Sequence, residues 1–193
     1  MICCLFTPAE TQELGAKMKS EHFRSEHRSR KYIEYGAAIK LDKKDKIILK
    51  TLEQNSRASI IDIAKKTNLT RDVVAYRIQK LIDQKVIFGF STLLNPPKMG
   101  YPVVVYVCFA LERANKQKEE RFVKYLMSVK NVSYVASITG RWDYIIDIMA
   151  KDHGHMNDIL KEIRHTFSEI IKEYEVMNMI EEHKYEEIAA VLD

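Results

Sequence analysis

Arg71, Asp72, Ala75, Tyr76, Gln79 and Lys80 recur at spacings of three and four, which places them on one face of a helix. That set has the chemistry of base reading. Arg and Lys pair with guanine O6 and N7 or with phosphate, Gln pairs with adenine N6 and N7, and Ala or Tyr can meet a thymine methyl. Lys65 and Lys66 stand just upstream, where ammonium groups would meet phosphate oxygens. Ser59 and Thr70 are residues of the N-cap type, and a helix N-terminus also accepts phosphate. The same side chains would equally suit the solvated faces of ordinary amphipathic helices.

The elements that must carry these residues are legible in the hydrophobic period. Residues 41–83 hold three short helical patterns. The first starts at Asp42 with Asp45 three positions on and a stripe of Ile48, Leu49 and Leu52; the second starts at Ser59 with Asp62 and a stripe of Ile60, Ile63 and Ala64. The third follows Thr70, with Val74, Ile78, Leu81 and Ile82 at i, i+4, i+7 and i+8. None is long enough to be stable alone, so the three are expected to pack as one unit.

The period then changes. Residues 86–90 read as a strand, and Asn95-Pro96-Pro97 with Gly100 marks a linker over 91–100. A strand over 101–111, apolar on both faces, leads to a helix over 117–129. Strands over 132–139 and 142–150 join at Gly140-Arg141 as a hairpin, and a helix over 154–168 and a strand over 171–180 follow. The fold class is α+β: a helix-turn-helix unit over 41–90, then a β-α-β-β-α-β domain over 101–182 with an antiparallel sheet and both helices on one face. Residues 1–40 read as β-α-β, an extension like the second half of that domain, with a strand over 32–39; residues 183–193 read as a tail.

Charge divides along the same lines. Residues 41–85 carry eleven Lys and Arg against six Asp and Glu, whereas residues 86–193 carry thirteen against sixteen, within a net charge of +4. A basic middle and an acidic remainder point to different partners for the two stretches. Cys3, Cys4 and Cys108 match neither a disulfide framework nor a zinc site, and no apolar run approaches the ~20 residues that span a bilayer. A cytoplasmic protein with no membrane partner is expected. His153 and His155 read as surface residues and Cys108 as packing, with no metal and no cofactor. No phosphate-cradling glycine loop or nucleophile–base pair suggests catalysis.

Several motifs in order resemble the Lrp/AsnC, or feast/famine, family of transcription regulators. They are the run from Leu41 to Leu49, Arg57-Ala58-Ser59 with Ile63-Ala64, Leu69-Thr70 with Val74, Arg77-Ile78 and Leu81, then Val86 to Phe90, Asn95-Pro96 and Gly100. The resemblance implies a winged or extended helix-turn-helix that binds double-stranded DNA, with Arg77 among its contacts, followed by a ferredoxin-like domain. It also implies a homodimer or higher homo-oligomer and a small-molecule effector, commonly an amino acid. The family's effector loop is similar to Thr139-Gly140-Arg141-Trp142-Asp143, where glycine would let ligand approach the backbone and Asp143 would accept from an α-ammonium group. A hairpin turn with a solvated aspartate is the plain alternative. Two departures stand out: Lys85 occupies the place of a helix-ending glycine, at a cost of about 1 kcal/mol if the backbone there is left-handed, and the last strand reads Glu173-Tyr174-Glu175-Val176-Met177 where relatives tend to carry small hydroxyl residues. The rival readings are a non-specific DNA-organising protein and a small-molecule or enzymatic module with decorative helices.

Overall fold

Three capped helices build the first unit of the structure, a computed structural model that describes residues 36–185 and 187–192. In α1 (Lys43–Gln54) the Asp42 carboxylate accepts the N–H groups of Lys44 and Asp45, and the Asp45 carboxylate accepts the Asp42 N–H. This is the reciprocal cap that the spacing predicts. Ser59 caps α2 (Ile60–Thr67) and Thr70 caps α3 (Arg71–Asp83). Between them Asn68 takes a left-handed backbone, φ 53°, which asparagine tolerates, and the chain reverses within three residues.

Ile48, Leu52, Ile63, Val74 and Leu81, with Ile87 beyond α3, form the core of this unit. Full burial of one such side chain contributes about 1.5–3 kcal/mol, which is what holds helices too short to persist alone. The expected strand over 86–90 carries no sheet pairing. Instead, the N–H groups of Val86 and Ile87 both donate to the Leu81 carbonyl and Ile87 turns into the core. A single extended segment has no ladder to join, so the apolar run serves packing and not a sheet. Residues 189–192 belong to the same unit, where the Ala189 N–H donates to both carboxylate oxygens of Glu53, at 2.8 and 3.0 Å.

The second unit, Ser91–Ile188, is the ferredoxin-like domain. Its elements are β1 (Val103–Leu111), α4 (Lys116–Ser128), β2 (Val135–Ser137), β3 (Tyr144–Ala150), α5 (His153–Thr166) and β4 (Ile171–Asn178). All neighbouring strands are antiparallel, in the order β2-β3-β1-β4. Val105, Val107, Phe109, Ile146 and Ile148 point to the helices, where Phe122 of α4 makes edge-on contacts with Phe109, Tyr144 and Phe167 at 5.1–5.5 Å between centroids. Alternation sends Val104, Tyr106, Ile145, Met149 and Met177 to the opposite face. The linker is anchored by a short turn, Pro97–Met99, that ends at Gly100 with φ 90°.

The strand expected over 132–139 shrinks to Val135–Ser137, and one buried side chain occupies its leading end. The Asp147 carboxylate accepts the N–H groups of Ser133 and Tyr134 at 2.8 and 2.7 Å and the Ser133 hydroxyl at 2.6 Å, so a side chain takes those N–H groups while the backbone bonds from Asp147 to Tyr134 and from Met149 to Asn131 continue beside it. Residues 36–39, the end of the strand expected over 32–39, have no regular structure. The rest of the β-α-β reading of residues 1–40, with Cys3 and Cys4, lies outside the described residues. No described helix is long and apolar enough to cross a membrane.

Candidate nucleic-acid interface and effector loop

α3 owes its outward face to its inward one. Val74 and Leu81 are buried, Ile78 packs beside them, and at 3.6 residues per turn the opposite side carries Asp72, Ala75, Tyr76, Gln79 and Lys80. All five are exposed, as is Arg71, and Tyr76 keeps 68% of its surface open. Lys65, Lys66 and Thr70 are exposed too, and Ser59 is half-buried. The Ser59 hydroxyl donates to Asp62 and accepts the Asp62 N–H, while Thr70 accepts the Val73 N–H at 3.4 Å, so both hydroxyls are engaged in capping. Gln79 donates to Asp83 one turn on, at 2.8 Å. An exposed i,i+4 bond of this kind is worth only a few tenths of a kcal/mol and yields readily to a base edge.

Arg77 is placed differently from its neighbours. Its Nη1 donates to Asp42 and to Asp45, both at 2.7 Å, so the guanidinium ties α3 to the first turn of α1. The Asp42 carboxyl is held below the usual carboxylate range, first by the Asp45 N–H and then by Arg77. The neighbouring Lys44 ammonium donates to the Thr67 carbonyl at the end of α2. α1 therefore grips both helices of the helix-turn-helix.

α3 ends at Lys85, whose φ of 58° is the left-handed value that its place in the sequence raised as a concern. The Lys85 N–H donates to the Ile82 carbonyl and the Val86 N–H to the Leu81 carbonyl, the two bonds of a glycine-type helix stop. The helix end keeps the geometry of a glycine without having one.

In the second unit Thr139 and Gly140 form the exposed tip of the hairpin, with Gly140 at φ 127°. Arg141 pairs with Glu173 at 2.6 Å and stacks over Trp142 at 4.6 Å. Asp143 holds the sheet together: its N–H donates to the Phe109 carbonyl, its carbonyl accepts from Ile138, and its Oδ2 accepts the Leu111 N–H at 2.7 Å. One carboxylate oxygen is thus committed to the end of β1. Beside the loop lies a depression of about 390 Å³ bordered by Glu112, Arg113, Glu119, Ser137, Asp143 and Tyr144. Of the five loop residues, Asp143 alone borders it. The Tyr144 hydroxyl donates to Glu119 at 3.3 Å, and burial, then Glu119, pushes its ionisation up. No signal in the sequence joined Glu119 on α4 to Tyr144 on β3, because they meet only across the helix–sheet packing.

Other polar features have structural work. A wider groove of about 670 Å³ along α5 and β4 is lined by Lys161, Arg164, His165 and Lys172, of which Arg164 offsets the negative end of the α5 dipole. His155 Nδ1 accepts the Lys151 N–H. No cluster of three metal-binding side chains exists among the described residues.

Residues 41–87 match the winged helix-turn-helix DNA-binding family and residues 104–188 match the Lrp/AsnC ligand binding domain. An uncharacterised HTH-type transcriptional regulator of Pyrococcus furiosus is 30% identical over 145 residues, 70% of this chain and 96% of that protein. The crystal structure of an AsnC family transcriptional regulator from Agrobacterium tumefaciens aligns with a TM-score of 0.69 at 25% identity, over 75% of this chain and 94% of its own. A transcriptional regulator of Neisseria meningitidis, solved as its L-Met complex, shares the fold with a TM-score of 0.70 at 19% identity, over 76% and 94% of the two chains. With the DNA-reading unit and the sensing unit both matched in order, the chain belongs to the Lrp/AsnC family, as a DNA-binding transcription regulator with a ligand-binding domain and not an enzyme.

Proposed function

We propose that the protein reads specific sites in double-stranded DNA as a homodimer or higher oligomer, with α3 in the major groove and an amino acid as the effector that tunes it. The observation that carries this reading is the open face of α3, where Asp72, Ala75, Tyr76, Gln79 and Lys80 are exposed opposite a buried Val74–Leu81 stripe. Gln79 and Lys80 are assigned to base edges, Arg71, Lys65 and Lys66 to phosphates, and the α2 and α3 N-termini at Ser59 and Thr70 to the backbone. Association of copies is supported by the sheet face that α4 and α5 leave open, which carries Val104, Tyr106, Ile145, Met149 and Met177. Two-fold pairing would set two α3 helices about one DNA turn, roughly 34 Å, or a multiple of it apart. The amino-acid effector rests on the matched ligand-binding domain and on the methionine held by the Neisseria protein. Thr139 to Asp143, with the neighbouring Glu119 and Tyr144, is its proposed seat. Such a regulator works beside the DNA it reads, in the cytoplasm.

Selection of bound duplex from random oligonucleotides, run with and without a panel of amino acids, tests the reading. One enriched motif, shifted in affinity by one of the amino acids, is expected. With that motif in hand, Gln79→Ala or Lys80→Ala should cost about 1–3 kcal/mol at the site. Lys65→Ala and Lys66→Ala should weaken binding to every sequence and flatten the salt slope by about one per phosphate contact. Binding with no enriched motif at physiological salt would refute the site-specific reading in favour of a DNA-organising protein.

A further inference from the structure

We propose that Arg77 is a positioning residue, a clamp between α3 and the first turn of α1 that sets the angle at which α3 meets DNA, and does not touch DNA itself. The inference rests on the reading of α3 as the groove helix and assigns Arg77 a role other than the contact implied by resemblance.

Direction around the helix makes the first argument. At about 100° per residue, Arg77 lies roughly 60° from the buried Val74, roughly 60° from Lys80 and roughly 160° from Gln79, so its side chain leaves α3 at the border between the core and the reading face, opposite Gln79. Engagement makes the second. One guanidinium nitrogen meets carboxylate oxygens of both Asp42 and Asp45 at 2.7 Å, and the Arg77 and Asp45 side chains keep only 25% and 15% of their surface open. Two charge-assisted bonds from a half-buried site fix direction as well as distance. Both bonds leave from Nη1, so holding them fixes where the remaining guanidinium donors, on Nη2 and Nε, can point.

The carboxylates are themselves fixed, which makes the third argument. Asp42 and Asp45 cap one another's backbone at the start of α1, so neither can follow Arg77 if α3 tilts. The hydrophobic core sets how close α1 and α3 lie and, being close-packed, resists rotation about the α3 axis. The off-axis clamp adds a directional restraint at the rim of that contact, and base reading depends on it because Gln79 stands on the far side of the same axis.

The experiment uses the full chain with Arg77→Met, Arg77→Lys, Asp45→Asn and the double variant R77M/D45N, each titrated against its selected site and against unrelated duplex over a range of salt. Clamping predicts that R77M and D45N each lower affinity for the selected site by about 10-fold, the scale of one lost base contact. Binding to unrelated duplex and the salt slope should stay as in the unaltered protein, the double variant should lose no more than either single one, and R77K should fall between. The D45N arm is the sharp one: removing an acid from a DNA-binding unit should by charge alone tighten binding, whereas loss of the clamp loosens it at the specific site only. A fall in R77M binding to all DNA, with the salt slope reduced by about one and D45N neutral or tighter, would make Arg77 a phosphate contact and overturn the proposal. Unchanged site affinity in both variants would overturn it too. Melting of the same four proteins and hydrogen exchange along α3 keep the two claims separable. Non-additive destabilisation with faster exchange in α3 supports the clamp even where the unaltered protein selects no site, in which case the DNA reading fails instead.

Discussion

Replacing Lys85 with glycine should make the protein more stable, although it removes a charged side chain from a basic unit. Lys85 sits at φ 58°, where a β-carbon crowds the adjoining backbone, at a cost of roughly 1–2 kcal/mol for an L-residue. Glycine removes that crowding but has roughly 0.5–1 kcal/mol more chain entropy to lose on folding. The balance is a gain of about 0.5–1 kcal/mol, since both bonds of the helix stop come from backbone N–H groups, those of Lys85 and Val86, and survive the change. At 1.4 kcal/mol per factor of ten, amides buried in the first unit should exchange about two- to fivefold more slowly. Hydrogen exchange of Ile48, Val74 and Leu81, which form that core, reads the gain without interference from the second unit. The Lys85 side chain makes interactions of its own, so Lys85→Ala is the matched control, losing the side chain and keeping the β-carbon. If the glycine and alanine variants exchange at the same rate, strain at this position is not what separates them and the reasoning fails.

Three further outcomes follow from particular contacts. Asp147→Ala removes the acceptor of two N–H groups and one hydroxyl; because Ser133 and Tyr134 are exposed, water replaces part of the loss, and urea denaturation should show a cost of about 2 kcal/mol, with Asp147→Asn costing less. Asp42 has a folded pKa below its ordinary 3.8, so its stabilisation is complete above that value and disappears as pH falls through the lower folded one. Asp42→Asn should therefore melt earlier than the unaltered protein near neutral pH, and the gap should close as pH falls below about 4. Burial, with Glu175 adding to it, pushes the Cys108 thiol up; mass spectrometry after iodoacetamide at pH 8 should find Cys108 unmodified in the folded chain and labelled once urea unfolds it.

The helix order, the strand order of the second unit, the caps at Asp42, Ser59 and Thr70, and the exposed face of α3 were readable from residue order, because each follows from neighbours within about four positions, whereas the strand expected over 86–90 was not there. The left-handed stop at Lys85 was raised only conditionally, by the resemblance that puts a helix-ending glycine at that place, and the backbone there decided it. The leading end of β2, the duty of Asp143 and the orientation of Arg77 were not readable. Each is decided by a side chain meeting backbone or charge 13 to 35 residues away: Asp147 with Ser133 and Tyr134, Asp143 with Leu111, Arg77 with Asp42 and Asp45. Periodicity reports which side of an element is apolar. It carries no information about which distant partner a carboxylate or guanidinium will reach, and that choice is made only when the packed cores bring the elements to hydrogen-bonding distance.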